Sequence, residues 1–104
     1  MSLAELTITD FQRTLAQIWT IELPSGGAVE ATLSQVSALG EPPRPGAELT
    51  RQAFSLVWRG PQQPLLPQQI YRLSHPSYAQ LEVFLVPIGP DPATREMRYE
   101  AIFT

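Results

Sequence analysis

The sequence predicts an all-β fold, mainly antiparallel: a small six-stranded barrel or sandwich with one short N-terminal helix. Two observations carry this reading. In the second half, Phe54-Ser55-Leu56-Val57-Trp58-Arg59 stops at Gly60-Pro61, and Leu81-Glu82-Val83-Phe84-Leu85-Val86 stops at Pro87-Ile88-Gly89-Pro90. Arg98-Tyr99-Glu100-Ala101-Ile102-Phe103 then runs almost to the last residue. Apolar and polar residues that alternate between turn residues mark half-buried strands. The second observation is that most connections are short, which favours antiparallel neighbours.

The elements follow in chain order. Thr9 or Asp10 is placed to cap a helix, with Gln12 three residues after Thr9 as a capping box requires. Phe11 and Leu15 are spaced to share one face of that helix, expected over about residues 9–16. Residues 18–23 alternate, with Trp19, Ile21 and Leu23 on one face, and Pro24-Ser25-Gly26-Gly27 forms a turn. Residues 29–36 place Val29, Ala31 and Leu33 inward and Glu30, Thr32 and Ser34 outward, completing a hairpin. Residues 37–50 hold Gly40, Pro42, Pro43, Pro45 and Gly46, a connection long enough to cross an end of a barrel or cover an edge.

The third strand points Phe54, Leu56 and Trp58 inward. A Pro-rich loop occupies 60–67, and a fourth strand over 70–74 points Tyr71 and Leu73 inward. His75-Pro76-Ser77 turns the chain into a fifth strand with Leu81, Val83 and Leu85 inward. Residues 89–96 form a loop, and the sixth strand places Tyr99, Ala101 and Phe103 inward. No internal repeat or linker interrupts the 104 residues, so one domain is expected.

Composition narrows the function classes. With no Cys, neither a disulfide framework nor a thiolate metal site is possible. The net charge is −3, and the seven basic residues, all Arg, are scattered, which argues against nucleic-acid binding. No run approaches the roughly 18 apolar residues of a membrane span. Met1-Ser2-Leu3-Ala4-Glu5 lacks the basic and apolar regions of a signal peptide, so a cytoplasmic location is expected.

Catalytic chemistry has little to stand on. The single histidine, His75, lies beside Ser74 and near Ser77, but no nucleophile-elbow pattern accompanies it. A turn histidine bonding nearby backbone is the simpler reading. Asp91 in Gly89-Pro90-Asp91-Pro92 lacks the acidic spacing of a calcium loop and reads as a turn residue. Glu82 and Glu100 face outward, where Arg72 or Arg98 offers ordinary cross-strand pairing. Gly26-Gly27 is too short to cradle a phosphate. The sequence therefore predicts no enzyme, no cofactor and no metal.

An apolar feature stands out instead. If Leu81, Val83 and Leu85 face inward, Phe84 and Val86 face outward, and Val57 and Ile102 do the same on their strands. Val57, Phe84, Val86 and Ile102 thus form a candidate interface for a protein partner or for self-association. Two other readings compete: the helix covers these residues through Phe11 and Leu15, or the fifth strand is central in a sandwich and buried on both faces. A third possibility is a small ligand inside the barrel, lined by Trp19, Trp58, Tyr71 and Tyr99. Barrels this small are usually filled by their own side chains.

The C-terminal half resembles an uncharacterised family of small bacterial β-domain proteins, a domain of unknown function. The resemblance is carried by the 54–61 string, by Leu66-Pro67-Gln68-Gln69-Ile70-Tyr71-Arg72-Leu73 with His75-Pro76, by 81–90, and by Met97-Arg98-Tyr99-Glu100-Ala101-Ile102-Phe103. It implies no catalytic residues. It does imply an assembly or accessory role beside phage-tail-like proteins.

Overall fold

A computed structural model describes residues 6–39 and 53–103. Most of the long 37–50 connection and the N-terminal residues 1–5 lie outside the described residues. The chain forms a short helix, α1 (Ile8–Gln12), and six strands: β1 (Ile18–Glu22), β2 (Ala28–Ala38), β3 (Phe54–Gly60), β4 (Gln69–His75), β5 (Ala79–Pro90) and β6 (Met97–Phe103). They close into a barrel in the order β1-β2-β3-β6-β5-β4, every neighbouring pair antiparallel. The barrel decides between the two architectures that the alternation allows.

The period-2 pattern sorts side chains as alternation requires. Trp19, Ile21, Ala31, Leu33, Phe54, Leu56, Trp58, Tyr71, Leu73, Leu81, Val83, Leu85, Tyr99, Ala101 and Phe103 are all buried in one core. Leu23 and Val29, at the turn end of the first hairpin, are half-buried against it.

The helix starts earlier and ends sooner than its pattern suggests. Thr7, not Thr9 or Asp10, is the N-cap. Its backbone N–H donates to the Asp10 carboxylate at 2.8 Å, so Asp10 fills the third helical position of a capping box. The helix stops at Gln12; Thr14 Oγ1 donates back to the Phe11 carbonyl, and Ala16 takes a φ of 69°. Leu15 is left exposed in the turn after the helix, so it does not share a buried face with Phe11.

Phe11 enters the mouth of the barrel instead. Its ring meets Trp19 at 5.9 Å, Phe54 at 5.7 Å, Phe103 at 5.4 Å and Tyr78 at 6.4 Å. The helix therefore stoppers one end of the barrel and leaves the outer apolar strand residues uncovered. At another opening, the Pro-rich loop sends Leu66 into the core. The hydroxyl of Tyr99 accepts from the Leu66 N–H (3.0 Å), and that of Tyr71 donates to the Pro67 carbonyl (2.5 Å).

Strand β5 corrects a second expectation. Pro87-Ile88-Gly89-Pro90 does not end it; the strand continues to Pro90 along β6. A bulge between Pro87 and Gly89, with Gly89 at φ 96°, absorbs the residues that would break a regular ladder. The connection to β6 shortens accordingly. In it Asp91 Oδ1 accepts from the N–H groups of Ala93 (2.8 Å) and Thr94 (3.0 Å), the turn role expected of it. Those two bonds hold its carboxyl below the usual range, with a smaller contribution from Arg59 and Arg98.

Candidate functional site

Closing the sheet fixes which outward side chains stand side by side. On β4 and β5, Arg72 faces Glu82 and Ile70 faces Phe84. On β5 and β6, Val86 faces Glu100. The β5–β6 ladder ends at Val86 and Glu100; carried two residues past that pair, the antiparallel register sets Ile102 beside Phe84 and so near the level of Ile70. Ile70, Phe84 and Ile102 thus make an apolar row across three strands of the outer surface. They are 63%, 48% and 62% exposed.

Of the four residues expected at an interface, Phe84 and Ile102 are exposed and Val86 is half-buried. Val57 does not join them: it is only 5% exposed. In the register it stands between Gln35 and Glu100. Its carbonyl accepts from Ser34 Oγ at the β2 bulge (3.0 Å). The exposure of Phe84 also removes the reading of β5 as a strand buried on both faces.

Ile70 takes the place that Val57 leaves. Sequence reasoning missed it, although the signal was present: if Tyr71 and Leu73 point inward, Ile70 must point outward.

Charges border the row. On one side Glu22, Arg72 and Glu82 lie level with one another. The guanidinium of Arg72 is 3.5 Å from the carboxylate of Glu22. Glu100 borders the other side. Arg98 does not reach it; its Nε donates to the Gly89 carbonyl (3.3 Å). The expected cross-strand pairing is therefore present in register at Arg72 and Glu82, while the ion pair itself forms with Glu22.

His75 sits at the end of β4, buried beneath the rings of Trp19 (5.0 Å) and Tyr78 (6.0 Å). Its Nδ1 accepts from the Ser77 backbone N–H at 3.0 Å, and its Nε2 lies 2.7 Å from Oε1 of Gln17. The Ser77 bond leaves the proton on Nε2, which donates to Gln17. Burial holds the imidazole below its ordinary pKa. These partners are a backbone amide and a side-chain amide, not a serine hydroxyl and a carboxylate, so they match the turn role. Ile18, Thr20, Ser74, Pro76 and Gln80 line a shallow open depression beside it, with no other titratable group. Among the described residues, no three His, Asp or Glu side chains gather as metal ligands, and no helix is long and apolar enough to cross a membrane.

Trp19, Trp58, Tyr71 and Tyr99 are core residues, each 2% exposed or less. Trp19 and Trp58 meet edge to face at 5.8 Å. Among the described residues, their indole N–H groups have no hydrogen-bond partner. Burial, and to a lesser extent the neighbouring Tyr99, raises the pKa of the Tyr71 phenol.

A family model described as Domain of unknown function (DUF6916) matches residues 6–103. The chain belongs to the DUF6916 family. The match takes in the helix and all six strands, so the barrel with its stopper is the fold of this DUF6916 domain as a whole. Neither a curated protein nor a solved structure matches the chain significantly. The DUF6916 description assigns no activity, and a fold alone does not supply one; function has to be argued from the surface.

Proposed function

We propose that this domain is a non-enzymatic protein-interaction module that docks through the outer face of β4, β5 and β6. The observation that carries the reading is the exposed row of Ile70, Phe84 and Ile102. Single exposed apolar residues are ordinary, but a contiguous set across neighbouring strands is the usual signature of an interface. The helix leaves this face open, since Phe11 is committed to the barrel mouth. An assembly or accessory role fits such a module, and the link to phage-tail-like assemblies rests on the sequence resemblance alone.

The interior supports this reading over a ligand-binding barrel, because the four rings that would line a cavity are buried in the core and two of them, Trp19 and Trp58, meet edge to face. The surroundings of His75 support it over catalysis, because among the described residues its ring bonds the Gln17 side-chain amide and the Ser77 backbone N–H. The test is Phe84→Glu. The variant is expected to keep the wild-type circular dichroism spectrum and thermal transition, because Phe84 is half exposed, and to lose binding or assembly. An unfolded Phe84→Glu protein would place the residue in the core and defeat the proposal.

A further inference from the structure

Resting on that interaction face, we infer that its partner is a protein segment carrying an apolar stripe between basic residues, and not a second copy of this chain. The argument is charge complementarity. The row of Ile70, Phe84 and Ile102 is bordered on both sides by acidic residues. On one side Glu22, Arg72 and Glu82 carry two negative charges for one positive, and the single cation is engaged by Glu22. On the other side stands Glu100. Each border is therefore negative by one charge. The row crosses three strands, about 10 Å at ordinary strand spacing, and each carboxylate stands two residues along the strand from it, about 7 Å. A partner with apolar side chains on the row has room for a Lys or Arg over each border.

The same arrangement disfavours self-association. A two-fold dimer packs one patch on its own copy. Because both borders carry a net negative charge, stacking two rows face to face in either orientation sets border against border of like sign. The net charge of −3 acts in the same direction. Like charges placed opposite each other suppress a wrong partner, while opposite charges select and steer the right one. The apolar row supplies affinity and the carboxylates supply choice.

The experiment titrates the isotopically labelled full chain with two designed helical peptides, followed by NMR. One peptide has leucine on one face and lysine on the other; its counterpart replaces each lysine with glutamate. The leucine–lysine peptide is expected to move the amide signals of Ile70, Phe84 and Ile102, and to bind at least about tenfold more tightly than its counterpart at low salt. The double variant Glu82→Gln/Glu100→Gln is expected to narrow that difference to about threefold or less while its unperturbed signals stay in place. Equal binding of both peptides at the row would overturn the basic-partner inference and leave the interaction face standing. A dimer that buries Phe84 would do the same. If neither peptide moves the row, both the inference and the interaction reading fall.

Discussion

Nε2 of His75 donates to Oε1 of Gln17 across 2.7 Å, joining the end of β4 to the segment that links the helix to β1. The Ser77 contact requires a neutral ring, because Nδ1 accepts there, whereas Nε2–H donates to Gln17 in either protonation state. Protonating Nδ1 breaks that contact and places a cation beneath Trp19 and Tyr78. Burial lowers the folded pKa, so the unfolded chain takes up the proton more readily. The contribution of His75 is therefore complete above its unfolded pKa of about 6.5 and is lost as pH falls through the lower folded value. Urea midpoints measured between pH 7.5 and 5.5 are expected to fall for the wild type and to stay flatter for His75→Gln. Parallel curves would show that His75 does not drive the change.

The stopper is expected to matter more than the length of its helix. Phe11 touches four aromatic rings in the barrel mouth. Phe11→Ala removes that packing and is expected to cost about 3–5 kcal/mol, measured as a shift in the urea midpoint at constant slope. Leu15→Ala, in the exposed turn, is expected to stay within about 0.5 kcal/mol of the wild type. Similar losses for the two would refute the placement of Phe11.

At the loop end, the hydroxyl of Tyr99 is the acceptor for the buried N–H of Leu66. Tyr99→Phe keeps the ring and strands that donor, at an expected cost of about 1–3 kcal/mol. Hydrogen exchange at the Leu66 amide is the sharper measurement: it is expected to lose protection before the strands do.

Gly89 holds φ 96° at the β5 bulge, and no atom lies within 4 Å of where a Cβ would stand. Gly89→Ala therefore meets no crowding, and its expected cost of about 1–2 kcal/mol comes from the backbone alone. Thermal unfolding checks the size, and unchanged amide shifts in the core would show that the barrel is not rearranged.

The inward half of every strand was legible because alternation is a local property: Trp19, Trp58, Tyr71 and Tyr99 follow from period 2 without knowledge of strand order. The outer face was only partly legible. Phe84 and Ile102 were assigned correctly to the outside, but the burial of Val57 depends on which long side chains flank it, and that is settled by the pairing of β3 with β2 and β6. Ile70 becomes significant only when β4 is seen beside β5. The helix boundary misled because Thr9-Gln12 imitates the capping pattern that Thr7-Asp10 actually forms. Pro87 and Pro90 read as strand breakers, and a bulge lets β5 run past them.

The ladders that close the barrel are unequal. β3 meets β6 from Phe54 to Gly60, whereas β1 meets β4 only from Thr20 to Glu22. This short ladder joins residues far apart in sequence, such as Ile21 and Leu73, while the β1–β2 and β4–β5 pairs are hairpins that form from near neighbours. Loop-closure entropy opposes the distant pairing, and three residue pairs return little for it. The cylinder therefore has a seam at β1 and β4, the ladder with the fewest paired residues, where closing a long stretch of chain is repaid least.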